Sequence, residues 1–339
     1  MDGRKSIKRS VDTLFGCMAY LGGASPNELY LTPKLFKQTY ETARNKLRDI
    51  FGDEFKNINM HPISNSANLY GHLASLGATV TFPEGADFSV SPFVSSVDEG
   101  IALLKKDVDF ADNDLFRHYM AYTERLKKDF PETRVSFVGY GFSGLFTEAV
   151  LMRGQTFFMD ICEYPDKCLE FLSLLTDSLI KFTRFIRKIN GEPLYSDAII
   201  GLADDFNSYI APEMHEKFVI PFWNKYYSAL SSGPRYLHSE GMRRVHLRQL
   251  KLADIAHFQP SVSPGLTCQM LAEELDIAFD WMLPSYEIIY MDDTQIDKWV
   301  ADTAKWGPVT IRTQTVRNTY ELGRENRVRR FLEAAREYE

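Results

Sequence analysis

The chain has 339 residues, 45% of them hydrophobic and 25% charged, and a formal net charge of -7. These fractions are ordinary for a globular chain long enough to bury most of its apolar surface without staples. The acidic balance argues against a nucleic-acid partner, which usually meets a basic face. No uncharged apolar run of about 18 residues marks a membrane span.

In chain order, the N-terminal run Met1-Asp-Gly-Arg-Lys-Ser-Ile-Lys-Arg9 is not followed by the apolar stretch of a secretory signal. Residues 1–55 read as a helical extension, mixed over Ser6 to Tyr20 and clearest over Thr32 to Phe51. There Leu35, Phe36, Tyr40, Ala43, Leu47 and Ile50 recur at helical spacing. From residue 56 onward short apolar runs alternate with amphipathic segments. The runs that read as buried strands are Asn57 to Met60, Ala78 to Phe82, Val135 to Gly139, Ala198 to Leu202, Arg235 to His238, Ile255 to Gln259, Ile277 to Leu283 and Val309 to Thr313. Helices are expected over Pro165 to Ile189, from Ala211 to about Ser231, over Thr294 to Lys305 and over Glu321 to Tyr338. Strand–helix alternation calls for a parallel sheet, and eight strands in about 280 residues suit a closed (β/α)8 barrel. The fold class expected is thus α/β, a (β/α)8 barrel over 56–339 with the helical extension 1–55 packed on it. The run Gly139-Tyr-Gly-Phe-Ser-Gly144 lacks the spacing and the early position of a dinucleotide fingerprint.

Candidate site residues follow from that geometry. His238 and Glu240 stand two apart at a strand end and so share a face. In a barrel that face is the mouth, where an imidazole and a carboxylate can ligate zinc or pass protons. A structural His–Glu hydrogen bond is the bland alternative. Of the adjacent acids Asp204 and Asp205, alternation admits only one to the mouth, and Asp205 is nearer the loop. Tyr140 lies in a turn that Gly139, Gly141 and Gly144 leave open to a ligand, although such glycines more commonly serve a tight strand-to-helix turn with no ligand. Gln259 and Trp281 come from later strands as substrate contacts. Arg312 is the best local cation for a carboxylate, with a salt bridge to a neighbouring acid as its competing role. The four cysteines, Cys17, Cys162, Cys168 and Cys268, have no Cys-x-x-Cys spacing, read as small core residues, and fit a reducing cytoplasm.

The order of several segments resembles the uroporphyrinogen decarboxylase superfamily. They are Phe137-Val-Gly-Tyr-Gly-Phe-Ser-Gly-Leu-Phe146, Leu151-Met-Arg-Gly154, Asp160, Tyr164-Pro165, Gly201-Leu-Ala-Asp-Asp-Phe-Asn-Ser-Tyr-Ile-Ala-Pro-Glu-Met-His215, Pro221-Phe222 and His238-Ser-Glu-Gly241. The resemblance spans roughly residues 70 to 338 and implies one of two activities. One branch decarboxylates a tetrapyrrole without a cofactor. The other comprises methyltransferases that work with a corrinoid and commonly hold zinc through His-x-Cys and a later Cys. This chain departs from both patterns. The arginine-rich N-terminal signature of the decarboxylases is missing, and Leu14 to Tyr30 contains no arginine. The decarboxylases' tyrosine maps near Val150. His-x-Cys reads His238-Ser239-Glu240, and the late Cys maps near Thr313 or Gln314, so a thiolate-rich zinc site is excluded while a harder one stays open. The first reading is a metal-assisted methyltransferase with zinc at His238 and Glu240, Asp205 beside them, and a corrinoid arriving on a separate protein. A cofactor-free decarboxylase using Arg312 and Asp205 is the second, and a non-catalytic binding barrel the third. A small-molecule substrate and a homodimer are the remaining expectations.

Overall fold

A computed structural model of the chain describes residues 6–65, 70–83 and 88–339. The first five residues of the N-terminal run read above therefore lie outside the described residues. The strands are β1 (Lys8–Thr13), β2 (Ile58–Asn59), β3 (Val80–Thr81), β4 (Ser89–Val90), β5 (Ile200–Ala203), β6 (Arg235–His238), β7 (Ile255–Gln259), β8 (Ala278–Leu283) and β9 (Thr310–Thr315). The chain is α/β, and it divides into two compact units, one of residues 1–63 with 258–339 and one of residues 64–257.

In the first unit four parallel strands run in the order β2-β1-β9-β8. The register pairs Lys8 with Thr310 through Thr13 with Thr315, and Asp280 with Thr310 through Leu283 with Thr313. β1 corrects the expectation of a wholly helical N-terminus. Phe15–Gly22, Pro26–Leu31 and Phe36–Phe51 are helices, but Lys8–Thr13 is a sheet strand. Its charged sequence hides this, because the buried Arg9 is neutralised in place. The Arg9 guanidinium meets Glu54 Oε2 at 3.1 Å and Glu339 Oε1 at 2.9 Å, and donates to the Leu332 carbonyl at 2.5 Å.

In the second unit β5, β6 and β7 are neighbours in that order, with Ile200 to Ala203 beside Arg235 to His238. β3 and β4 form a separate antiparallel pair, so the run Ala78 to Phe82 does not join the parallel sheet. Val135 to Gly139 is not a strand either. The side-chain amide of Asn190 takes the place of a neighbouring strand, accepting from Phe137 N at 2.7 Å and donating to Phe137 O at 3.0 Å. The helix Pro165–Ile189 forms over the span expected and buries one stripe, including Phe171, Leu172, Leu175, Leu179 and Phe182. The helix expected after Ala211 is broken in two, Pro212–Phe218 and Ile220–Leu230. Pro221 has no N–H to continue an earlier turn and is at home in the first turn of a new helix.

The helix Leu145–Arg153 starts directly against the end of β5. Gly144 precedes it at φ +95°, and a Cβ there would stand 1.9 Å from the carbonyl oxygen of Ala203 and 2.8 Å from Asp204 Cα. Glycine here serves a close backbone approach rather than the ligand access expected of this turn. Gly144→Ala is expected to destabilise the chain by on the order of 2–4 kcal/mol, from a strained φ and a backbone collision together. A denaturant midpoint equal to that of the parent chain would contradict this packing.

Candidate functional site

The register that sets Ala203 beside His238 brings the ends of β5 and β6 level. The loops that follow, beginning at Asp204 and Ser239, therefore leave the sheet side by side, joined by Asp204 N donating to His238 O at 3.0 Å. Three side chains meet there, all within the unit of residues 64–257. His238 Nε2 lies 3.7 Å from Asp205 Oδ1 and 3.9 Å from Glu240 Oε1. The backbone N–H of Glu240 donates to Asp205 Oδ1 at 2.8 Å. Their side chains are 28%, 41% and 49% exposed for His238, Asp205 and Glu240, so a dissolved molecule can reach all three. Burial pushes the Asp205 carboxyl above its ordinary range and the nearby Glu240 charge adds to this, while the Glu240 N–H and His238 pull it back down. The arrangement can hold a proton at a carboxyl and pass it through an imidazole.

Beneath this cluster sits a set of residues that local sequence patterns barely mark. Asp204 is 0% exposed. Its carboxylate accepts from Phe146 N at 3.1 Å, Thr147 N at 2.9 Å, Thr147 Oγ1 at 2.8 Å and Trp223 Nε1 at 2.8 Å. The two backbone donors belong to the first turn of the helix Leu145–Arg153, whose leading N–H groups have no partner within the helix. Thr147 Oγ1 also accepts from Asp205 N at 2.9 Å and Phe206 N at 3.1 Å. Asn207 Nδ2 donates to the Asp204 carbonyl and, at 3.0 Å, to Ser239 Oγ, tying the two loops together. The Asp204-Asp205 doublet was the visible signal; nothing in the sequence marks Thr147 or Asn207.

The remaining candidates are placed elsewhere. Tyr140 is 1% exposed in a core cluster with Phe110, Tyr119, Phe137 and Phe182. Its hydroxyl accepts from Asn113 Nδ2 at 2.6 Å and donates to Phe110 O at 3.1 Å. This is a packing role in place of the expected substrate contact. Gln259 ends β7 and is 6% exposed. Trp281 alternates with Asp280, whose carboxylate lies 3.5 Å from Arg312, and lines a cavity with residues of the helices Cys268–Glu274 and Asp293–Ala304. It thus looks toward the helices, not toward the face expected of a mouth residue. Arg312 is held by acids on both sides, 3.1 Å from Asp12 Oδ2 and 3.5 Å from Asp280 Oδ2.

His238 and Glu240 were expected to bind a metal. Among the described residues no group of three or more His, Cys, Asp or Glu is arranged to hold one. The donor chemistry gives the reason. Tetrahedral zinc with bonds of about 2.0–2.1 Å holds its ligand atoms roughly 3.3 Å apart, closer than the 3.7 and 3.9 Å separations here. One Asp205 oxygen is also committed to the Glu240 N–H. Burial pushes the thiols of Cys17, Cys168 and Cys268 up to about 11, 12 and 12, so none supplies a thiolate near neutral pH. As placed, His238, Asp205 and Glu240 stand a few tenths of an ångström wider than tetrahedral zinc would hold them.

Asp204→Ala is expected to cost about 3–5 kcal/mol, because it leaves several buried donors facing no acceptor. Burial pushes the Asp204 carboxyl up to about 6 from 3.8. Between those values the unfolded chain has released a proton that the native chain keeps, so this residue's contribution to stability falls as pH rises from about 4 to about 6. Urea unfolding across that range, in parent and Asp204→Asn chains, checks the slope: only the parent should show it.

The uroporphyrinogen decarboxylase (URO-D) family model matches residues 64–269, more than half of the chain. Among solved structures, a methyltransferase from Methanosarcina mazei superposes with a TM-score of 0.68 at 13% sequence identity, covering 100% of this chain and 95% of that one. At that identity the likeness speaks for the fold. No curated protein matches the chain by sequence. Among the described residues no helix is long and apolar enough to cross a membrane. The family model takes in β5, β6 and the His238, Asp205 and Glu240 cluster, and the chain belongs to the uroporphyrinogen decarboxylase family.

Proposed function

We propose that this chain is a methyltransferase of the URO-D family, a (β/α)8-type barrel that counts β1 among its strands, working at His238, Asp205 and Glu240. The observation that carries the reading is the convergence of one imidazole and two carboxylates, all reachable from solvent, at the adjoining ends of β5 and β6. A methyl group leaves an oxygen, nitrogen or sulfur more readily when that atom is protonated as the bond breaks. Asp205 is the carboxyl whose protonated form burial favours. His238 Nε2, 3.7 Å from Asp205 Oδ1, would take that proton through one bridging water and deliver it to the heteroatom the methyl leaves. Glu240 faces the same nitrogen and fixes Asp205 through its own backbone N–H. A corrinoid on a separate protein would supply the methyl acceptor or donor, and no residue of this chain is assigned to hold it. The likeness to a methyltransferase structure supports the reading at the level of fold. The decarboxylase alternative needs a cation for substrate carboxylates, and its candidate, Arg312, is engaged by Asp12 and Asp280.

The test is a methyl-transfer assay with free cob(I)alamin as acceptor and a panel of O-, N- and S-methyl donors, followed by loss of the Co(I) absorbance. His238→Ala and Asp205→Asn should each lower kcat/KM by roughly 10²–10⁴ with the responsive donor. Undiminished rates in both variants, or release of carbon dioxide from a tetrapyrrole carboxylate by the parent chain, would overturn the assignment.

A further inference from the structure

The chain contains four tryptophans, and three of them line one cavity of about 540 Å³ within the unit of residues 1–63 and 258–339. Trp281 comes from β8, Trp299 from the helix Asp293–Ala304, and Trp306 from just beyond that helix. Met291 adds a polarisable thioether, and Lys298 and Asp302 supply the charges. The cavity is an open cleft, and its lining is mostly apolar with a few polar groups, as in small-molecule sites. Trp299 packs against Phe331 with 6.3 Å between ring centroids, which restricts its indole. Indole faces suit flat ligands, and they also attract cations.

Charge decides between these. Asp302 is the only acid among the described residues lining the cavity. Its Oδ2 bonds to Lys298 and its Oδ1 to Lys305, the latter at 2.6 Å. These two hydrogen bonds hold its carboxyl down to about 2. Two ammonium groups against one carboxylate leave a surplus of positive charge. A cationic ligand would find the carboxylate already engaged. An anion would find Lys298, whose three donors are only partly used by Asp302.

We propose that this cavity binds a flat aromatic or heteroaromatic molecule bearing an anionic group, its rings against Trp281, Trp299 and Trp306 and its anion at Lys298. Trp281 then contacts a ligand, as the sequence suggested, but at a place apart from the strand-end cluster of Asp205, His238 and Glu240. The proposal is independent of methyl transfer.

Tryptophan fluorescence of the full chain reads this directly, since the fourth tryptophan, Trp223, is fully buried in the other unit and contributes a constant background. Naphthalene-2-sulfonate is the probe, and 2-naphthyltrimethylammonium is its counterpart of opposite charge. The sulfonate should quench saturably and bind about tenfold more tightly than the ammonium. Lys298→Gln, an exposed change, should weaken the sulfonate about tenfold, the share of one charge-assisted hydrogen bond. Trp306→Leu should remove the share of the quenching that comes from that indole, about a third if the three contribute alike. Equal affinity for the two probes, parent affinity in Lys298→Gln, unchanged quenching in Trp306→Leu, or no saturable quenching at all would each overturn the proposal.

Discussion

The strand-end cluster depends on one carboxylate that never meets solvent. Asp204 sits in the interior, where an unpaired charge costs several kcal/mol. Four donors offset that cost, two from the start of a helix, one from Thr147 and one from Trp223. Each hydrogen bond to a charged group contributes roughly 1.5–3 kcal/mol, so the set is large enough to hold the carboxylate where it is. Asp205, the next residue, has left the extended conformation at φ -96°, ψ -40°, and its side chain meets His238 instead of the interior. Thr147 then completes the turn by accepting from the amides of Asp205 and Phe206. Two neighbouring aspartates thus do unlike work: one holds the turn together and the other meets His238.

The helix that supplies these donors is itself anchored on a second side. Glu148, next to Thr147, accepts from Ser143 N at 3.2 Å and lies 2.8 Å from His72 Nδ1. The other imidazole nitrogen of His72 lies 2.9 Å from Ser178 Oγ on the long helix Pro165–Ile189. The His72 and Glu148 side chains are fully buried. A serine, a histidine and a carboxylate in a row have the composition of a nucleophilic triad, but no substrate reaches this one. It ties three helices together, and buried polar chains of this kind, fully satisfied, make the packing around them unique. Consecutive residues of one short helix therefore link the solvent-reachable cluster to the core.

How much of this could be read from the sequence varied with the kind of force involved. The apolar runs that became β6, β7 and β8 were legible because burial against helices selects continuous hydrophobic residues. So was the helix Pro165–Ile189, whose apolar stripe, proline start and Asn-Gly end all agree. β1 was not, because Lys-Arg-Ser-Val-Asp-Thr has no hydrophobic run, and its buried arginine is tolerated only through Glu54 and Glu339, which are distant in sequence. Val135 to Gly139 misled for the opposite reason. Its residues suit a strand, but Asn190 satisfies the Phe137 backbone and its ring joins a core cluster. At the site, period-two spacing was enough to pair His238 with Glu240 and to separate Asp205 from Asp204. Thr147 and Asn207 act through contacts of 57 and 32 residues' separation, which no local pattern reveals.

The charges in the two units bear on which substrates the chain can favour. In the unit of residues 1–63 and 258–339, Arg312 is flanked by Asp12 and Asp280, and Asp12 also accepts from Asn59 Nδ2 at 3.0 Å. The charge of that cation is thus already balanced by two acids, although its Nε has no hydrogen-bond partner among the described residues. In the other unit, two carboxyl groups face a single imidazole at the strand-end cluster, and burial disfavours the ionised form of one of them, Asp205. A polycarboxylate approaching Asp205 and Glu240 meets like charge, which is repulsive even when partly screened. A neutral donor meets none of that penalty, and its heteroatom keeps the lone pair that a proton from His238 would need. On the function proposed above, this balance weighs against a polycarboxylate substrate and toward a neutral methyl donor.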